Sequence, residues 1–382
     1  MSSVNHIGQL TIDHFLQEYW QKAPVILRQA LPDLPELITP EELAGLACED
    51  FVESRLVTVL QEAPGWLVKH GPFSEQDFTS LPESNYSLLV QDVEKHLPDL
   101  RRLIDPFRFI PNWRIDDLMI SYATTNGNVG PHTDAYDVFL IQTMGRRRWQ
   151  IARGFDPERV PDCDLQILAR FEAEQEWVLE PGDVLYLPPG IAHYGVALEP
   201  CMTCSVGFRA PTDYELLGGY TDWLLDQQDC SERYTDAGRS AIINPSRIPD
   251  QDMADLRKRL TSALHVDSQS LEIWLGCGLT TPKEILATQD PGELNSIDSF
   301  INAWQQHKQL VRNTACRFLY ANINDSWHLF VHGEHLDVSD DLACLLPDIC
   351  EQDAMACDKN VSPASLALMF ELYLRGYYYF NL

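Results

Sequence analysis

Residues 130–137 read Gly-Pro-His-Thr-Asp-Ala-Tyr-Asp. On a strand, residues two apart project to one face, so His132 and Asp134 point together while Thr133 points away. Another histidine, His193, lies far downstream in Pro188-Pro189-Gly190-Ile191-Ala192-His193, just after a strand expected over 183–187. Two histidines and one carboxylate on a β-scaffold occupy one face of an octahedron and leave three positions open. That is the facial triad of non-haem Fe(II) chemistry. Zinc accepts the same three ligands. An isolated His-X-Asp is more often a surface histidine beside an acid. Here it opens a β-run after a Gly-Pro turn, and the distal histidine follows the strand begun by Pro181-Gly182-Asp183.

Arg146-Arg147-Arg148-Trp149-Gln150-Ile151 is the next signal. Alternation puts Arg147 on one face with Trp149 and Ile151, which belong inside, and Arg146 and Arg148 on the other. An inward arginine is costly unless it meets an anion, either a protein carboxylate or a bound acid. The far carboxylate of 2-oxoglutarate suits a planar guanidinium, which binds it with two parallel hydrogen bonds. In Asp117-Leu118-Met119-Ile120-Ser121, residues 117, 119 and 121 share a face. If that face lines a cavity, Ser121 can donate a hydrogen bond within it. Asp117 then sits nearer the mouth, available to a cationic substrate, and Met119 lies between them.

These residues need a β-framework. Between about 113 and 210, strands are expected over 117–123, 136–142, 146–152, 177–180, 183–187 and 202–208, separated by Gly, Pro and Asn turns. Many short strands at this spacing suggest an antiparallel sandwich or barrel. Before it, residues 8–30 read as a helix and then a strand, and residues 40–104 read as mainly helical. That stretch includes a helix start at Pro40 and an amphipathic run over 88–97. After about 212 the chain turns helical, with helices over 214–228 and along Met253, Leu256, Leu260 and Leu264. Asn244-Pro245 and Ile248-Pro249 punctuate the space between these helices. Beyond about 285 come a helix over 297–311, strands over 316–321 and 327–331, and helices over 340–346 and 363–375. Helices around a small hairpin suggest a winged-helix domain. The expected division is 1–212 catalytic, 213–284 a helical dimerisation segment and 285–382 winged-helix-like.

The chain has 382 residues, 28 Lys and Arg against 57 Asp and Glu, and a formal charge of −29. Acidic residues outnumber basic ones about two to one on both sides of residue 215. Such a surface repels nucleic-acid phosphates and anionic membranes, and its natural complement is a basic partner. No apolar run approaches the ~18 residues of a membrane span. The opening Met1-Ser2-Ser3-Val4-Asn5-His6 has no basic and apolar regions of a secretory signal. The 10 cysteines are scattered, as expected for free thiols in a cytoplasmic protein.

Four segments together resemble the Jumonji-C (JmjC) ribosomal oxygenases: Trp113–Ser121, Val129–Gln142, Gly145–Trp149 and Ser205–Pro211. The resemblance extends over nearly the whole chain. It implies a double-stranded β-helix of the cupin or JmjC jelly-roll kind in an α+β protein, with a helical dimerisation segment and a winged-helix C-terminus. It implies Fe(II) held by His132, Asp134 and His193, with 2-oxoglutarate and O₂ as co-substrates. It places 2-oxoglutarate on Arg147 with Ser121 nearby. Many eukaryotic JmjC enzymes use Lys there, so Arg147 favours the bacterial branch. It also implies that Asp117 and Tyr136, with Met119 beside them, contact a target arginine of a large-subunit ribosomal protein. The activity so implied is arginine 3-hydroxylation by a cytoplasmic homodimer, without direct nucleic-acid or membrane contact. Two rivals are the same chemistry on a histidine or asparagine of another ribosomal protein, and a non-catalytic cupin sensor of a metal or small acid.

Three other groups read as structural. Cys201 and Cys204 suit packing on a strand. His328, His332 and His335 suit the surface of a C-terminal hairpin, and Glu49-Asp50 suits a solvated acidic pair.

Overall fold

Val138-Phe139-Leu140-Ile141 is a continuous apolar run, and both of its faces are used. Phe139 and Ile141 enter one hydrophobic core with Leu118, Ile120, Tyr186 and Val206. Val138 and Leu140 enter another with Trp149, Ile151 and Leu187. A strand buried on both sides reads this way, without polar alternation. The computed structural model describes residues 6–32, 34, 38–62, 65–241, 246–265, 267–282, 294, 296–307, 309–357 and 362–380. The expectations for Met1–Asn5 and for Asn244-Pro245 lie outside the described residues. The chain forms two compact units, Met1–Ala210 and Pro211–Leu382.

In the first unit, α1 (Ile12–Glu18) is capped by Thr11, whose hydroxyl accepts from the His14 amide at 3.2 Å. Then come β1 (Val25–Leu27) and α2 (Pro40–Leu46). A reciprocal Thr39–Glu42 capping box and a proline in the first turn start α2. Next are β2 (Ser54–Val59), β3 (Trp66–His70), β4 (Tyr86–Val90), α3 (Val93–His96), β5 (Ile115–Ala123), β6 (His132–Thr133) and β7 (Asp137–Met144). The unit ends with β8 (Arg147–Ala152), β9 (Gln175–Leu179), β10 (Val184–Leu187), β11 (Ala192–Ala197) and β12 (Cys201–Phe208). An eight-stranded sheet runs β1-β10-β7-β12-β5-β4-β2-β3, and a four-stranded sheet runs β9-β8-β11-β6. This is the double-stranded β-helix the resemblance implied.

The mainly helical reading of 40–104 is wrong in part: β2, β3 and β4 extend the large sheet. Leu88, Leu89 and Val90 are buried strand residues, so the run over 88–97 is a strand followed by the short α3. A short buried apolar run carries no period that separates helix from strand. Strand β11 was also missed, and His193 lies on it.

The second unit contains α4 (Asp213–Gln227), α5 (Asp250–Ala263), α6 (Ser268–Thr280), α7 (Ile297–His307), β13 (Gln309–Arg312), β14 (Phe318–Ile323), β15 (Ser326–Val331) and β16 (Glu334–Val338). It closes with α8 (Leu346–Glu351), β17 (Ala354–Ala356), α9 (Pro363–Leu374) and β18 (Tyr378–Tyr379). Its sheets are β14-β15-β16 and β17-β13-β18. The helix expected over 297–311 ends at His307, because Leu310 and Arg312 are taken into β13. Helix α6 was not foreseen. It packs on β14-β15-β16, where a Cβ on Gly276 would come within 2.5 Å of the Phe330 ring. No helix among the described residues is long and apolar enough to cross a membrane.

Candidate active site

The short β6 pairs antiparallel with β11, opposing His132 to His193. Their ring centroids lie 4.2 Å apart. The β-run breaks at Asp134, yet its Oδ2 reaches 3.5 Å from His193 Nε2. The Gly190 amide donates to the Asp134 carbonyl at 2.8 Å, tying the Pro188-Pro189-Gly190 turn to this segment. One ligand atom from each of the three residues falls within 4.8 Å of the others. Each imidazole places Nδ1 at 3.0 Å from a carbonyl two residues back, Gly130 for His132 and Ile191 for His193. With Nδ1–H donating there, each Nε2 keeps its lone pair for a cation. Burial, with His193 close by, pushes His132 below the ordinary histidine range and so favours the neutral form that binds a metal. Gly130 has φ +74°, and a side chain there would run into Ile167.

The cluster opens into a cavity of about 370 Å³ lined by both sheets: Met119, Ser121, Leu140, Thr203 and Ser205 from one, His132, Arg147, Trp149 and His193 from the other. Arg147 is 3% exposed. Its Nη1 donates to Ser121 Oγ at 3.2 Å and Thr203 Oγ1 at 3.4 Å, and Nη2 to the Gly195 carbonyl at 3.3 Å. Its Nε has no partner, and its carbon lies 4.9 Å over the Trp149 ring. Burial lowers its pKa, and it forms no ion pair with a carboxylate among the described residues. Its neighbours Arg146 and Arg148 face Glu199 and Glu176 outside, as alternation requires. Gly195 leaves room for this arrangement, since a Cβ there would sit 2.7 Å from Trp149 and 2.9 Å from Arg147 Nε. The donors, the cavity and the unsatisfied guanidinium suit one divalent cation and one small dicarboxylate.

Met119 and Ser121 line the cavity as the shared strand face required. Asp117 does not line it. Asp117 Oδ1 and Tyr136 Cε2 lie 3.1 and 3.7 Å from the place a Gly207 Cβ would take. Tyr136 lies in a bend before β7 and not on a regular strand, yet it lines the cavity. Burial, then the carboxylates of Asp134 and Asp117, raise its hydroxyl well above the ordinary range. Asp137 is structural: it accepts from Tyr186 Oη at 2.6 Å and pairs with Arg114 at 3.1 Å.

Sequence reasoning missed Thr203, Ser205 and Arg55. Polar residues alternating on the buried β12 were a usable signal for the first two. Arg55 lines the cavity from β2, a stretch whose sequence reads as helix. Asp164–Ile167 also line it, from a loop whose sequence carries no signal. Cys201 and Cys204 are buried free thiols, and burial pushes Cys204 up to about 12.

A double-stranded β-helix closed around such a cavity is the architecture of the JmjC class. The JmjC domain matches residues 102–216, and the ROXA-like winged helix matches residues 262–379. The chain is 37% identical to the ribosomal protein uL16 3-hydroxylase of Escherichia coli K12, over 98% of this chain and 99% of that one. It is 33% identical to the probable ribosomal oxygenase of Haemophilus influenzae Rd, over 86% of this chain and 82% of that one. The structure of the E. coli ribosomal oxygenase YcfD with cobalt and 2-oxoglutarate matches at TM-score 0.83 and 36% identity, covering 98% and 99% of the two chains. The chain belongs to the JmjC ribosomal oxygenases.

Proposed function

We propose that this chain is an Fe(II)- and 2-oxoglutarate-dependent hydroxylase acting on an arginine side chain of ribosomal protein uL16. In this reading His132, Asp134 and His193 hold Fe(II), Arg147 and Ser121 hold 2-oxoglutarate, and Asp117, Met119 and Tyr136 hold the arginine. Arg147 carries the reading. A buried guanidinium whose Nε has no partner, and which forms no ion pair with a carboxylate among the described residues, lies in one cavity with a His-His-Asp cluster. A dicarboxylate bound there supplies the missing counter-charge. Bound iron supplies the activation of O₂ that couples oxidation of 2-oxoglutarate to succinate and CO₂ with hydroxylation of a C–H bond.

The chain contributes placement and dryness. The Gly130 and Ile191 carbonyls fix both imidazoles, while Ser121 and Thr203 hold the guanidinium in plane. Val138, Leu140 and Ile167 give the cavity apolar walls that exclude water. Asp117 pairs with the substrate guanidinium, and the Tyr136 ring stacks on it. Their position selects which C–H bond is presented.

The charge of −29 steers a basic ribosomal protein toward the enzyme, so association weakens as salt rises. Residues 1–212 form the catalytic part, 213–284 the dimerisation segment and 285–382 the winged-helix part of a cytoplasmic protein. Dimerisation is supported by exposed apolar residues on α4 and α5: Leu217 is 66% and Leu260 63% exposed. Light scattering then gives a dimer at micromolar concentration, and a monomer would remove this element. The substrate is tested by mass spectrometry of ribosomal proteins from cells with and without the gene. One added oxygen on a uL16 arginine, present only with the gene, is expected, and an unchanged uL16 would overturn the assignment.

A further inference from the structure

The hairpin histidines expected at the surface are not all there: His328 is 1% exposed. It lies on β15 opposite Asp337 of β16, and His335 is two residues from Asp337 on the same strand face. His328 Nδ1 is 2.8 Å from His335 Nε2 and 3.2 Å from Asp337 Oδ1, and His335 Nε2 is 3.4 Å from that same oxygen. Three potential ligand atoms therefore form a nearly equilateral triangle. We infer that His328, His335 and Asp337 form a second divalent-cation site, of the zinc class, in the C-terminal unit.

The triangle has the right size. Zinc bonds nitrogen and oxygen at about 2.0–2.1 Å, so two ligands of a tetrahedral ion lie about 3.3 Å apart. The three edges bracket that value. The donors are of the right kind, two imidazole nitrogens and a carboxylate oxygen. However protons are placed among two imidazole nitrogens and one carboxylate oxygen, one of the three edges is left with two facing lone pairs or two facing N–H groups, and a cation satisfies all three at once. The side chain of Asp337 is 84% exposed, so the fourth position faces solvent and an ion can enter. The strand register fixes the ligands on two adjacent strands, and a bound ion would clamp β15 to β16. The ion serves here as a staple, because its ligands come from two adjacent strands held in register.

The test counts metal and does not depend on catalysis. Metal-stripped full-length protein is dialysed against Zn²⁺ and its zinc content measured. Wild type should bind about two equivalents per chain, Asp134→Ala about one, and Asp134→Ala with His335→Gln none. Asp337→Asn, at an exposed position that leaves the core intact, should weaken the second equivalent at least about tenfold. Circular dichroism verifies that each variant is folded. The inference is overturned if Asp134→Ala alone abolishes binding, or if His335→Gln and Asp337→Asn both keep two equivalents at wild-type affinity.

Discussion

The chain carries two His-His-Asp clusters written in nearly the same letters. His132-Thr133-Asp134 and His335-Leu336-Asp337 are both His-X-Asp, and each is joined by a histidine from the neighbouring strand, His193 or His328. In both, the ligand atoms lie within 4.8 Å of one another. They differ in what surrounds them. The first opens into a cavity of about 370 Å³ with a buried arginine at its far side. The second lies on a three-stranded sheet against which α6 packs, with its aspartate in solvent. Ligands decide whether a cation binds. The space and the counter-charge beside them decide whether a co-substrate and a substrate bind as well.

The largest expected effect separates the clusters by activity. Asp134→Ala should lower 2-oxoglutarate turnover at least about 100-fold, while Asp337→Asn should keep it within about twofold, read as succinate formed. Next comes the counter-charge beside the first cluster. Arg147→Lys replaces a fork by a point charge and should raise KM for 2-oxoglutarate about 10- to 100-fold, with a smaller effect on kcat. Ser121→Ala or Thr203→Val removes one neutral hydrogen bond to that arginine. Each should cost about 1 kcal/mol, or roughly fivefold in the same KM.

The smallest effect on catalysis concerns β5, the strand that carries Met119 and Ser121. Glu94 accepts the Leu118 amide at 3.0 Å, and burial, reinforced by Asp92, raises its carboxyl to about 7. The folded protein then holds a proton that the unfolded chain has released, so this group makes stability fall as pH rises between about 4.5 and 7. Glu94→Gln should flatten that slope and stabilise the protein at pH 8 by on the order of 3 kcal/mol, measured by urea denaturation.

The catalytic face was legible because strand alternation is a local property. Arg147 with Trp149, and Met119 with Ser121, fall where period two puts them. Tyr136 lines the cavity although its strand does not stay regular and the residue lies in the bend at 135–136. Arg55 and the strand carrying His193 were not legible, since a short buried apolar run looks alike in a helix and a strand. The second cluster was misread for a different reason. The burial of His328 is set by tertiary packing on its sheet, and α6, which packs there, was itself not foreseen.

The most direct measurement uses isotopically heavy dioxygen with Fe(II), 2-oxoglutarate and purified uL16, and compares wild type, Asp134→Ala and Asp337→Asn by the intact mass of uL16. Wild type and Asp337→Asn should each insert one heavy oxygen atom, and Asp134→Ala none. Label inserted by Asp134→Ala, or lost in Asp337→Asn, would contradict the assignment of oxidation to the enclosed cluster.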